Sequence, residues 1–386
     1  MMPSLPHLDA LLVEARARTQ LCDFGDPWFC EPLGILLDSM EREAQLNEAG
    51  VAAQSERLIT GLVNRLKIED FCKRHPEVAE EPVNVGAVIV GLGRSGSTML
   101  QRLLAEAEGA AAIRWWETLS PVPFPDEPPG DPSARIDLAV QVVDGILAAN
   151  PGLLAIHPFD ARAADEEVML LEQSFVSSAP ESYMHVPSYG TWLEGTDHTP
   201  AYLELRRILQ MLTWQQPARR AKKWILKTPH HLTALDTVAK VFPEAKIVMP
   251  HRDPVKTVVS WCSLVQSLSA PNTDTLDPMW IGDHWSRRLA RNLDRFMKLR
   301  DELGLDRFVD VDYARLTRDP EMTALEVLRA IGLQPTTIDE QRIRDWSVNN
   351  ARAARGAHVY TPADFGLSEA KLEMLFDSYR RRFKAA

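Results

Sequence analysis

The stretch Val85-Gly86-Ala87-Val88-Ile89-Val90-Gly91-Leu92-Gly93-Arg94-Ser95-Gly96-Ser97-Thr98 has two textures. Its first six residues are a continuous apolar run rich in β-branched side chains, the pattern of a strand covered on both faces. A glycine-rich turn follows, and Met99, Leu100, Leu103 and Leu104 then recur at helical spacing. Strand, turn and helix in this order make a phosphate cradle. Glycines let the backbone curl, the amides of Arg94 to Thr98 converge, and the helix N-terminus favours negative charge. The Walker pattern GxxxxGK[ST] is in register at Gly91, Gly96 and Thr98, but Ser97 stands where the lysine belongs. Arg94 carries the loop's positive charge instead. Without that lysine, and with only Asp310 and Asp312 as unremarkable magnesium ligands, an ordinary kinase or nucleotidase is disfavoured.

Outward from this loop, apolar residues mark further strands at Trp224-Ile225-Leu226, Lys246-Ile247-Val248-Met249 and Arg307-Phe308-Val309-Asp310-Val311. Helical periodicity covers 134–149, 162–178, 200–214, 232–241, 254–268, 281–303, 320–331, 338–348 and 368–384, and six prolines in 121–132 predict a loop. Strands alternating with helices imply an α/β fold, a parallel β-sheet flanked by helices. Its ligand is expected at the carboxyl ends of the strands, after residues 90, 227 and 250. Residues 1–82 read as an N-terminal helical extension, with residues 83–386 as the α/β domain.

The chain has 386 residues and a formal net charge of −11. That balance opposes nucleic-acid binding, which needs a basic footprint. No apolar run approaches the ~18–20 residues of a membrane span, and the first twenty residues lack the pattern of a signal peptide. Cys22, Cys30, Cys72 and Cys262 form no metal-binding spacing, and so few cysteines suggest a reducing, cytoplasmic setting. The arginines of 281–303 read as the solvated face of a helix whose Ile281, Trp285, Leu289, Leu293 and Phe296 face the core. Most tryptophans read as core, with Trp115 and Trp116, beside Glu117, as the expected exceptions.

The loop with Arg94-Ser95-Gly96-Ser97-Thr98 resembles the 5′-phosphosulfate loop of sulfotransferases that use 3′-phosphoadenosine 5′-phosphosulfate (PAPS), here a bacterial branch. Other motifs of that family follow in order. Arg252, ending Ile247-Val248-Met249-Pro250-His251-Arg252, and Ser260 in the next helix are similar to the pair that holds the 3′-phosphate. Lys227, in Trp224-Ile225-Leu226-Lys227-Thr228-Pro229-His230-His231, is similar to the lysine at the bridging oxygen of the phosphosulfate. Val311-Asp312-Tyr313-Ala314-Arg315-Leu316 resembles the segment whose tyrosine approaches the adenine, although Ala314 departs from it. Arg355 and Gly356 resemble part of the loop that closes over the 3′-phosphate, whose lysine is missing here.

The resemblance implies sulfuryl transfer from PAPS, without a metal, to a hydroxyl of a small molecule, lipid or carbohydrate. Lys227 and Arg94 would supply positive potential for the departing phosphate. Glu117 stands where relatives carry a glutamate base, with His231 and His230 as rivals. A P-loop phosphotransferase with a displaced cation and a non-catalytic nucleotide-binding scaffold are the alternative functions. The acceptor-binding part, 120–220, matches no recognisable pattern, and the amphipathic N-terminal helices fit either their own domain or a homodimer partner.

Overall fold

The computed structural model describes residues 5–149, 158–350 and 360–384. Five parallel strands form one sheet: β1 (Val85–Ile89), β2 (Ala110–Ala111), β3 (Lys223–Lys227), β4 (Lys246–His251) and β5 (Phe308–Asp312), in the order β2-β3-β1-β4-β5. The central position of β1 follows from its sequence. Ala87 and Ile89 pack on one face with Leu100, Leu103, Leu104 and Leu328. Val85, Val88 and Val90 pack on the other with Leu226, Ile247 and Met249. A strand apolar on both sides is stable only where both faces are covered.

Ile89 is level with Lys227 on β3 and with Val248 on β4. All strands run one way, so their C-terminal ends share one edge. Segments far apart in sequence therefore meet there.

Three helices precede the sheet: α1 (Leu8–Thr19), α2 (Cys30–Glu43) and α3 (Glu48–Arg74). Leu11, Leu33, Leu36, Leu62 and Leu66 from these helices lie in the same core as Val88, Trp224 and Ile247. The N-terminal helices thus close one face of the sheet with their own chain.

Past β1 come α4 (Ser97–Leu104), α5 (Trp115–Leu119) and α6 (Ser133–Ala149). Trp115 and Trp116 are each only 4% exposed and pack with Ala139, Val143 and Ala161 in a satellite core. They are interior residues, contrary to the sequence expectation, because α6 folds over them.

The sequence also overstated the helix at 162–178. Only Val168–Leu171 is α-helical, followed by a 3-10 turn at Glu172–Ser174. Bonds to other elements hold this segment open: Gln101 Nε2 donates to the Asp165 carbonyl at 3.0 Å and Arg102 Nε to the Ala164 carbonyl at 3.0 Å. Two short helices, Pro180–Tyr183 and Pro187–Gly195, were not legible by period, being too short for one.

The helix Pro278–Leu303 buries the five apolar residues expected of it. Its basic face is not wholly solvated. Arg288 is 2% exposed and pairs with Glu181 at 2.7 Å, while Arg300 is 7% exposed and pairs with Asp310 at 2.6 Å. Among the described residues no helix is long and apolar enough to cross a membrane.

Candidate active site

The glycine-rich loop connects β1 to α4, whose N-cap is Gly96 at φ 86°. A Cβ on Gly96 would lie 3.1 Å from the Tyr313 ring, and one on Gly93 would lie 2.3 Å from the Trp261 ring. Both positions demand glycine, one for its backbone angle and one for lack of room. Arg94 adopts φ 72° without being glycine. A non-glycine residue in that region is strained and persists only when its surroundings fix it. Here they do: Arg94 Nε donates to Ser260 Oγ at 3.1 Å, and Arg252 Nη1 donates to the Arg94 carbonyl at 2.5 Å.

These two bonds join the loop to the strand-end arginine and helix serine over 150 residues away. Asp253 caps the helix Pro254–Ser269 by accepting from Val255 N at 3.1 Å, which places Ser260 on the side facing the loop. The Arg252 guanidinium lies 4.5 Å from the Tyr313 ring centroid. Tyr313 opens the helix that follows β5, so three strand ends contribute to one cationic rim.

Lys227, the last residue of β3, is fully buried. Its Nζ donates to Thr98 Oγ1 at 3.2 Å and to Glu166 Oε1 at 2.6 Å. Its backbone N–H donates to Glu167 Oε2 at 3.0 Å, and Glu167 Oε1 bonds His231 Nε2 at 2.5 Å. His231 Nδ1 in turn meets the Tyr202 hydroxyl at 2.6 Å. Burial raises the Tyr202 hydroxyl well above its usual pKa, so it remains a proton donor to that nitrogen. Both nitrogens of His231 are therefore hydrogen-bonded within a buried chain.

His230 is similarly occupied. Its Nδ1 accepts from Ser178 N at 3.1 Å and its Nε2 meets His198 Nδ1 at 3.3 Å. Burial, helped by His198 and His231, pushes its pKa well below the ordinary value, and the ring is neutral.

Glu117 is also fully buried and pairs with Arg219 at 2.7 Å. Its other oxygen accepts from Arg114 N at 2.8 Å, capping α5. Its contacts are those of a structural ion pair, and none reaches Lys227 or the loop. The sequence reading named Glu117 as base; here its carboxylate is held by Arg219 and by the Arg114 amide.

The carboxylate paired with the Lys227 ammonium is Glu166, whose side chain keeps 21% exposure. It was missed because Asp165-Glu166-Glu167 reads as an ordinary acidic turn of a helix. The one available signal was three adjacent carboxylates beside residues that turn out to be buried. Arg355 and Gly356 lie outside the described residues.

A glycine-rich loop at a helix N-terminus, with Arg94, Lys227 and Arg252 around it, is the arrangement that suits a donor with several anionic groups. The family comparison agrees: the chain matches the sulfotransferase family over residues 87–337 and belongs to that family. It is 25% identical over 320 residues to the omega-hydroxy-beta-dihydromenaquinone-9 sulfotransferase Stf3 of Mycobacterium bovis, spanning 78% of this chain and 76% of the relative. The crystal structure of sulfotransferase STF1 from Mycobacterium tuberculosis H37Rv superposes with a TM-score of 0.86 at 30% identity, covering 97% of this chain and 99% of that one. STF9 from Mycobacterium avium shares the fold with a TM-score of 0.90 at 23% identity, over 100% and 99% of the two chains.

The cradle fits an anionic donor of the PAPS type. Ser95 Oγ is buried in the loop with no hydrogen-bond partner among the described residues. A buried hydroxyl left unpaired is costly unless a ligand satisfies it.

Proposed function

We propose that the chain transfers a sulfuryl group from PAPS to the hydroxyl of an uncharged, apolar-bodied alcohol. The observation that carries this reading is Lys227 Nζ, which reaches Thr98 Oγ1 at the head of the loop helix. A strand-end cation is thereby held against the phosphate cradle in place of the absent Walker lysine. The acceptor class is supported by the menaquinone-derived alcohol in the name of the Mycobacterium bovis relative.

When bound, PAPS supplies an activated sulfuryl group whose S–O bond to the 5′-phosphate breaks as the acceptor oxygen bonds to sulfur. The amides of Arg94 and residues 96–98, the Arg94 side chain and Ser95 Oγ would hold the 5′ end. Lys227 meets the charge that grows on the leaving oxygen; a positioned donor of this kind typically contributes ~10²–10³ in rate. Arg252 and Ser260 would hold the 3′-phosphate, with the Tyr313 ring fixing the plane of the Arg252 fork.

Glu166 takes the acceptor proton. Its carboxylate is bonded to the Lys227 ammonium, so it stands beside the bond being exchanged. Engagement of Lys227 by the donor would release Glu166 to accept that proton, which the carboxyl group then gives up to solvent through its exposed edge. Glu117, His230 and His231 maintain the architecture around it.

Calorimetry with 3′-phosphoadenosine 5′-phosphate (PAP) tests the reading. Micromolar binding that disappears in Arg252→Ala is expected. A preference for ATP with magnesium, or indifference to the 3′-phosphate, would overturn it.

A further inference from the structure

The helix Asp377–Phe383 lies outside the matched span 87–337, yet it binds the residues on either side of Arg252. The pairing of β4 explains why those contacts matter. Its register with β1 ends at Ile89 and Val248, where β1 turns away into the loop, whereas β5 accompanies it to His251, level with Asp312. Arg252 therefore leaves a strand end that is paired on one side only.

Side chains take over where the ladder stops. His251 Nε2 lies 2.8 Å from Asp310 Oδ1, and its Nδ1 lies 2.7 Å from the Tyr379 hydroxyl. Arg300 donates two further bonds to Asp310, at 2.8 and 2.6 Å. Burial opposes the Asp310 charge, but the bonds from His251 and Arg300 outweigh it and hold the carboxyl below its usual range. Burial raises the Tyr379 hydroxyl above its ordinary pKa. Asp310 is thus an acceptor and Tyr379 a donor, so His251 donates from Nε2 and accepts at Nδ1. Its ring also stacks on Phe383, with centroids 4.2 Å apart.

On the other flank, Arg380 Nε lies 3.4 Å from Asp253 Oδ1, the oxygen that also accepts from Val255 N. His251, Asp253 and Tyr379 are all buried, where a lost partner is costly. Successive residues of a strand point to opposite sides. Fixing His251 against the C-terminal helix turns Arg252 toward the loop, where its Nη1 donates to the Arg94 carbonyl at 2.5 Å.

We propose that the helix Asp377–Phe383 is a clamp that positions Arg252 for the 3′-phosphate of the donor, with Tyr379 acting through His251 and Arg380 through Asp253. The inference rests on the sulfuryl-transfer reading and extends it to a C-terminal segment. Tyr379 and Arg380 are positioning residues: each holds a chain neighbour of Arg252. A small misplacement of a binding group is enough to lose affinity for the part of the ligand it holds.

The test compares PAP with adenosine 5′-phosphate, which lacks the 3′-phosphate, in the full chain. Tyr379→Phe removes one hydroxyl and keeps the ring. It should weaken PAP binding by about fivefold, the worth of one hydrogen bond, and leave adenosine 5′-phosphate within about twofold of wild type. Arg380→Ala should do the same. With PAPS and 1-octanol, the KM for PAPS should rise by about fivefold with kcat changed less. A helix that only stabilised the fold would lower the urea midpoint and leave the affinities of the folded protein for both nucleotides unchanged.

The proposal is overturned if either folded variant keeps the wild-type ratio of the two affinities, whether both nucleotides are unaffected or both weaken together. Arg380 is 29% exposed, so Arg380→Ala carries the test if Tyr379→Phe fails to fold. A wild type that fails to bind PAP, or binds both nucleotides equally, would instead remove the sulfuryl-transfer reading itself.

Discussion

Replacing Glu166 by Gln separates its two effects, competition for Lys227 and proton transfer, and predicts that donor affinity and turnover move in opposite directions. Lys227 is fully buried and its Nζ lies 2.6 Å from Glu166 Oε1. Unit charges ~4 Å apart interact by ~4 kcal/mol at the effective dielectric of a protein surface region. Glu166 keeps 21% exposure and Thr98 offers Lys227 a second partner, so parting the pair costs less. About 1–2 kcal/mol is the appropriate order once solvent screening is allowed for.

A donor that recruits Lys227 has to overcome that competition in wild type and not in Glu166→Gln. PAP affinity, measured by calorimetry, should therefore tighten by about fivefold to thirtyfold. Turnover of 1-octanol should fall by ~10²–10⁴, the usual contribution of a general base. Weaker PAP binding in Glu166→Gln would refute the competition. Turnover within about threefold of wild type would refute the base assignment.

Glu117→Gln should behave oppositely: unfolding free energy in urea falls by about 3 kcal/mol because Arg219 is left as an unpaired buried charge, while turnover per folded molecule is retained. A selective loss of turnover at unchanged stability would restore Glu117 as the base. Gly93→Ala places a methyl 2.3 Å from the Trp261 ring and should weaken PAP binding together with the urea midpoint, and an unaltered protein would refute the close packing. Burial holds the His230 and His198 pKa values below that of an unfolded histidine. The unfolded chain therefore binds more protons below pH ~6.5, and stability should be lost as pH falls through and below that value. His230→Gln should flatten this dependence of the urea midpoint on pH; an equal slope in the variant would refute the assignment.

The sequence alone determined the elements of the anion cradle. A β-branched apolar run, a turn with glycines at fixed positions and a helix of regular period are local patterns, so their physics is readable within fourteen residues. The parallel sheet followed from alternation of strands and helices, and the strand-end positions of Lys227 and Arg252 followed from the runs preceding them. β2 escaped notice because two alanines carry no periodicity.

Tertiary structure alone decided which carboxylate faces the lysine. Glu117 and Glu166 are equally acidic residues in unremarkable surroundings, and nothing local distinguishes them. Arg219, more than a hundred residues later, neutralises the first inside the satellite core, while Lys227 at the end of β3 meets the second. The same holds for Arg57: its place beside Tyr183 and Glu172 depends on how α3 crosses a segment over a hundred residues away. Side-chain type is encoded residue by residue, but the partner of a charge is set by packing between distant segments, and only the folded chain fixes which pairs meet.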